Sequence, residues 1–213
     1  MHKIIQKYLN GELKREELTN YYLLNFNIAV KGVPPNKKTF MNYLNQGLQY
    51  FEKIKNIDVD LLGVEKQIEF SIDNRIFTGY IDLVSRINGD LAIIDHKSKN
   101  LKGRSNNIKP KKSDVELNKY LRQLYLYSIA VKEEYGEFPK YLIFNCFRTQ
   151  NKIIEEFKIS DYEKTKEWAL ESINNISKEE SWRPNIDEFK CRYICDCNSQ
   201  CEYAKLNIGL GGI

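Results

Sequence analysis

Three groups of residues in this chain have the types and spacing to act on a charged phosphate oxygen. Gly79-Tyr80-Ile81-Asp82 and Ile93-Ile94-Asp95-His96-Lys97 each set an acid at the end of an apolar run, and the second adds a lysine two residues on. A carboxylate in such a position is costly to bury unless a cation or hydrogen bonds compensate it. Two of them on successive strands can converge on a hard divalent cation such as Mg²⁺ or Mn²⁺, which prefers oxygen ligands. The backbone carbonyl of His96 could add another oxygen, with its side chain turned to the other side of the strand. Lys97 points to the same side as Asp95, where its ammonium could stand beside an attacking water and offset charge growing on the phosphate. These are the requirements of metal-assisted phosphodiester hydrolysis. Gln123 and Tyr127, four residues apart, share one face of a helix. A short D-x-K pattern is by itself also compatible with plain salt bridges among Asp82, Asp95 and Lys97, so the reading depends on what surrounds it.

The surrounding elements can be read from apolar periodicity. Ile4, Ile5, Tyr8 and Leu9 share a helical face that Gly11 interrupts; Leu18 to Phe26 is a second apolar segment, ended by Gly32 and Pro34-Pro35; Lys37 to Ile54 carries Phe40, Tyr43, Leu44, Leu48 and Phe51 at helical spacing. From Val64 the period changes to that of a strand, running to Ile72 and with Glu65 near its start, a minor candidate for the site and otherwise a solvated strand residue. Asp73-Asn74 turns into a strand over Arg75–Ile87, and Asn88-Gly89-Asp90 turns into the buried run Leu91–Ile94. Val115–Tyr135 reads as a helix closed by Gly136, Lys140–Phe147 and Ile153–Ile159 as strands, and Ser160 as the N-cap of a helix to about Ser177. The order predicts an α/β protein: a mixed central sheet flanked by helices, with an N-terminal helical region.

Charge and cysteine usage narrow the partners. The 213 residues carry a net charge of only +4, but Lys97, Lys99, Lys102, Arg104, Lys109, Lys111 and Lys112 follow one another with no acid between them. Directly after the Asp95 strand, such a run suits contact with a phosphate backbone. Cys191, Cys195, Cys197 and Cys201 crowd into eleven residues, while Cys146 stands apart. Such a cluster suits metal binding better than disulfides in a reducing compartment, and could hold an iron–sulfur cluster, a tetrahedral zinc or no metal. No apolar run approaches the roughly 20 residues that cross a bilayer, and the first residues lack the apolar core of a signal peptide. A cytoplasmic protein without membrane contact is expected.

The three motifs, in their order and spacing, resemble the RecB-type nucleases of the PD-(D/E)XK superfamily, over about residues 2 to 150. The resemblance implies a restriction-endonuclease-like core over residues 1–180 and a cysteine-rich extension over 181–213 packed on it. It implies that Asp82 and Asp95 are metal ligands and that Lys97 is the catalytic lysine. Gln123 and Tyr127 would support the active site and the strand near the scissile phosphate, and His2, on the first helix, would be a further metal ligand. In several relatives one cysteine before the histidine and three near the C-terminus hold a 4Fe–4S cluster; here Cys197 or Cys146 would replace the upstream ligand, unless the cluster is lost. The expected activity is a Mg²⁺- or Mn²⁺-dependent deoxyribonuclease, an exonuclease acting on DNA ends or single strands in recombination, repair or phage DNA metabolism. A helicase, recombinase or single-strand-binding protein would be its partner. Alternatives are an RNA endonuclease on the same core, or a non-catalytic nucleic-acid-binding module or subunit of a larger recombination complex.

Overall fold

In the computed structural model the chain divides into two compact units, Met1–Leu170 and Glu171–Ile213. The residues described are 1–30, 36–54, 59–182, 184, 186–187, 190–191, 195, 197 and 199–203. The boundary between the units falls inside a helix, ahead of position 180, where the sequence suggested it. Gly32, Pro34 and Pro35, expected to end the second helix, lie outside the described residues.

The first unit is built on a five-stranded mixed sheet in the order β1-β2-β3-β4-β5. Its strands are β1 Asp60–Ile72, β2 Arg75–Ile87, β3 Asp90–Lys97, β4 Tyr141–Cys146 and β5 Asn151–Glu156. Two tight turns make the first three strands a meander. Asp73 and Asn74 take φ of 49° and 59°, and Asn88 and Gly89 take 53° and 88°. Paired left-handed residues of this kind match the twist of antiparallel strands, and Asn, Asp and Gly tolerate them best. β3 and β4 are parallel, so the chain must cross over between them. It does so through the helix α4, Lys112–Tyr135, which ends at Gly136 in the left-handed conformation (φ 77°). α4 starts three residues earlier than its apolar periodicity suggested, because the Asp114 carboxylate accepts the Lys111 N–H at 2.6 Å. β5 ends at Glu156, and the last helix, α5, begins at Ile159. Ser160 is therefore not its N-cap: the Lys158 carbonyl accepts the N–H groups of Asp161 and Tyr162.

Strand alternation gives the sheet two different faces. One face carries Val84, Ile93, Leu142 and Phe144, which form the main core with Leu117, Leu121 and Leu124 of α4. Several of these are fully buried, each stabilising the fold by roughly 1.5–3 kcal/mol. The other face carries Leu83, Ile94, Ile143 and Ile154, which meet one another across four strands in register. It looks toward the N-terminal helices α1 (His2–Leu9) and α3 (Lys37–Lys53). These helices and α2 (Leu18–Ala29) have a core of their own, made by Ile4, Ile5, Leu18, Tyr22 and Phe51. Most aromatics of this region are thus packing residues, as their spacing suggested, whereas Tyr43 is exposed. Gly47 is required there: a Cβ at that position would lie 2.2 Å from the Tyr22 ring.

Candidate active site

The site forms where β2 and β3 part. Their ladder ends at Leu83↔Ile94, and from Asp95 onward β3 pairs only with β4. The His96 N–H on the vacated edge would otherwise lack a partner, and Asp82 Oδ2 accepts it at 2.6 Å. Divergence of two strands thus fixes the first acid. What His96 offers this group is its backbone N–H, whereas the sequence suggested its carbonyl. Its ring lies on the opposite side of β3 from Asp95 and Lys97.

Around Asp82 the structure gathers one residue from each of two other elements. His2 Nδ1, a Glu65 carboxylate oxygen and an Asp82 carboxylate oxygen all lie within 4.8 Å of one another, with His2 Nδ1 4.0 Å from Asp82 Oδ2. His2 reaches the site because Ile4 and Ile5 dock α1 into the helical core. Its ring is bracketed by edge contacts to Phe147 at 5.7 Å and His96 at 6.0 Å between centroids. Glu65 sits in β1 opposite Asp82, between the register pairs Val64↔Leu83 and Lys66↔Ile81. Its φ of 47° is a left-handed conformation that costs a non-glycine residue of order 1 kcal/mol. Burial and the Asp82 charge push the Glu65 carboxyl above its usual range, and His2 pulls the other way. Two acids and an imidazole at this spacing are a donor set that fits a hard or borderline divalent cation. Among the described residues it is the one group of three or more such side chains that could share an ion. Glu65 is more prominent here than its place in an alternating strand indicated; no sequence signal marks the local backbone twist.

Asp95 is held differently. It is buried, and its carboxyl is pushed up to about 6, chiefly by desolvation and further by the Asp82 charge, while Lys97 opposes the shift. Lys97 Nζ lies 2.8 Å from Asp95 Oδ2 and donates to Gln123 Oε1 at 3.1 Å. Gln123 Nε2 in turn donates to the Tyr127 hydroxyl at 2.8 Å. The Tyr127 ring lies close against β2 at Gly79, where a Cβ would come 3.0 Å from it. All three motifs singled out in the sequence therefore meet in one continuous chain of contacts: Gly79, Tyr127, Gln123, Lys97, Asp95. Lys97 also lies 5.6 Å from the centroid of the Tyr120 ring, one helical turn before Gln123.

The model of the PD-(D/E)XK nuclease superfamily matches residues 1–202. The chain belongs to that superfamily. No curated protein matches it. Solved structures do: one titled "Crystal structure of SSO0001" is 15% identical, covers 95% of this chain and 82% of its own, and superposes with a TM-score of 0.37. The observed mixed sheet flanked by helices is the restriction-endonuclease-like core of these nucleases.

Beside the nuclease core, the basic segment runs from Ser98 to Lys111 without regular structure. It is anchored at Leu101, which is buried in the core, and at Ser105, whose N–H and hydroxyl both donate to Asp114. Lys99 pairs with Glu116 and Arg104 with Glu155, so both are already partly neutralised. Lys102, Lys109, Lys111 and Lys112 are exposed. An open groove of about 610 Å³ lies between Lys99, Lys112, Lys119 and Tyr120. Lys119, missed in the sequence reading, lies beyond the acid-free run.

In the second unit Cys191, Cys195, Cys197 and Cys201 are free thiols, with Cys195 and Cys197 exposed. Among the described residues these sulfurs are not gathered into a group close enough to share an ion. Cys146 is free and buried in the core of the first unit, where burial raises its thiol pKa. Among the described residues no helix is long and apolar enough to cross a membrane.

Proposed function

We propose that this nuclease is a divalent-metal-dependent deoxyribonuclease, acting on DNA ends or single strands in DNA repair, recombination or phage DNA metabolism. The observation that carries the reading is the convergence of His2, Glu65 and Asp82 beside a lysine held by Asp95 and Gln123. His2, Glu65 and Asp82, joined by Asp95, which feels the Asp82 charge but lies outside that group of three, would hold Mg²⁺ or Mn²⁺; when bound, the ion supplies Lewis acidity and a more acidic water. The chain's own residues supply the rest. Asp82 is locked by the His96 N–H, so its carboxylate needs little reorganisation on binding. The Lys97 ammonium is confined between Asp95 and Gln123, which aims its charge at a phosphate oxygen rather than at solvent. Tyr127 sets the Gln123 amide so that its oxygen, not its nitrogen, faces Lys97. The exposed lysines of the 98–112 segment would take the flanking phosphates, so binding should weaken steeply with salt.

Digestion of end-labelled single- and double-stranded DNA with Mg²⁺ or Mn²⁺, beside the Asp95→Ala protein, tests the mechanism. Equal activity in the two proteins overturns it, and faster cleavage of matched RNA would overturn the choice of DNA. For the four clustered cysteines we propose an iron–sulfur cluster, supported by their density in the sequence. Anaerobically purified protein should then absorb broadly in the visible and contain iron; colourless protein containing zinc would overturn this.

A further inference from the structure

A cavity of about 560 Å³ lies between the sheet and the N-terminal helices, on the face opposite α4. Its floor is two rungs of the sheet. One rung is apolar: Leu83, Ile94, Ile143 and Ile154, one from each of four adjacent strands. The second, two residues further along β3, is polar: His96, Asn145 and Lys152, also in register. At roughly 4.8 Å per strand the apolar rung is about 14 Å long.

The polar rung carries an unmet demand. His96 is 6% exposed, and its Nε2 has no hydrogen-bond partner. Asn145 Nδ2 lies 3.0 Å from His96 Nδ1 and donates to the Tyr50 hydroxyl at 2.8 Å. With the amide so placed, Nδ1 is the acceptor and Nε2 carries the proton. A buried N–H without an acceptor is rare in native proteins, and this one, closed to solvent as it stands, would meet an incoming oxygen after a small turn of the ring. The charged residues lining the cavity, Lys53 and Lys152, are both cationic.

We propose that this cavity binds a small amphipathic carboxylate, its aliphatic chain lying along the Leu83–Ile154 rung and its head group on the polar rung. The carboxylate pairs with the Lys152 ammonium and, after a small turn of the His96 ring, accepts from Nε2, while the chain replaces the missing contacts of the four aliphatic side chains. Because the described residues of the lining include no acid and little aromatic surface, a nucleobase fits it less well than a saturated chain does. The site is distinct from the proposed cleavage site, but His96 belongs to both: its ring faces the cavity and its backbone N–H holds Asp82.

Decanoate is the probe, titrated into the full-length protein by calorimetry and followed by amide chemical shifts. One molecule should bind per chain with a micromolar Kd. Methyl decanoate and Lys152→Glu should each weaken binding at least fivefold. Ile143→Trp should abolish it by filling the space. Because that change is buried and could unfold the protein, Ile154→Glu serves beside it. Ile154 is 59% exposed on the edge strand, so the variant should fold normally and still weaken binding at least tenfold. No saturable binding at millimolar decanoate, unchanged affinity in folded Ile154→Glu, or tighter binding of dAMP than of decanoate would each overturn the proposal. The measurement needs neither metal nor cleavage, so it stands or falls apart from the nuclease reading.

Discussion

Asp95 and Asp114 are both buried carboxylates of the same unit, each about 5% exposed, yet their surroundings treat them in opposite ways. Asp114 accepts three hydrogen bonds, from the Ser105 N–H, the Ser105 hydroxyl and the Lys111 N–H, at 2.6 to 2.8 Å. These bonds pull its carboxyl down to about 2. Asp95 faces another acid and has one ammonium for company; burial pushes it up to about 6. Asp114 is a finished structural joint that ties the basic segment to the start of α4. Asp95 has only the Lys97 ammonium to offset its charge, and burial outweighs it, which accords with the metal-ligand role proposed for this residue.

The comparison is broken most directly by removing each acid in turn. Asp95→Ala should lower metal-dependent cleavage by about a thousandfold or more, as loss of a group stabilising charge in the transition state does. Asp114→Asn should leave cleavage within a few-fold of wild type. Its effect should appear in acid unfolding instead. A carboxyl lowered on folding stabilises the native state above its unfolded pKa, and that stability is lost as the pH falls toward about 2. The variant should therefore show a flatter dependence of Tm on pH below about 4, read by circular dichroism. If both variants lost cleavage equally, the distinction between joint and site would be wrong.

The sign reverses for Asp95. Raising its pKa from 3.8 to about 6 means that folding favours the protonated form. The native state then loses stability as the pH rises through that window, on the order of 1–3 kcal/mol in all. Metal-free Asp95→Asn should accordingly be more stable than wild type above pH 7 in urea titrations, and the gain should vanish near pH 4. Loss of the contact with Lys97 offsets part of it. A smaller effect follows on rate. With metal limiting, cleavage should rise about tenfold per pH unit below pH 6 and level off above it, as the carboxylate that a cation needs becomes available. Raising the metal concentration should move that limb to lower pH, because a bound cation favours the ionised form.

Much of this arrangement was legible in the sequence because it depends on local rules. The two left-handed turns announce themselves as Asp73-Asn74 and Asn88-Gly89, and the apolar run before Asp95 marks a central strand. Helical spacing alone puts Gln123 and Tyr127 on one face. What stayed hidden depends on register and backbone twist. Glu65 reads as any outward residue of an alternating strand until the left-handed kink and the pairing with β2 set it opposite Asp82. Asn145 carried a faint signal, as a polar residue inside the apolar run Tyr141–Cys146, but its partners His96 and Tyr50 are 49 and 95 residues away. Nor could spacing show that the cations of the 98–112 run differ, with Lys99 and Arg104 paired and Lys109 exposed.

The least disruptive change probes the link between the first and third motifs. At Gly79 the new Cβ of an alanine would stand 3.0 Å from Tyr127 Cε1 and 3.3 Å from its hydroxyl, close enough to push the ring outward by a few tenths of an ångström. The backbone there is ordinary strand, so Gly79→Ala gains a little from a stiffer unfolded chain and loses about 1 kcal/mol to crowding. The net change in stability should be small. The Tyr127 hydroxyl, however, would move relative to Gln123, and Gln123 relative to Lys97. Cleavage should fall about three- to thirtyfold with little change in substrate affinity. Tyr127→Phe should cost a similar factor, and the double variant should lose no more than the worse single one, because both act through the same amide. Fully multiplicative losses would mean that glycine and tyrosine serve the site separately, and that the chain of contacts from Gly79 to Lys97 does not transmit position.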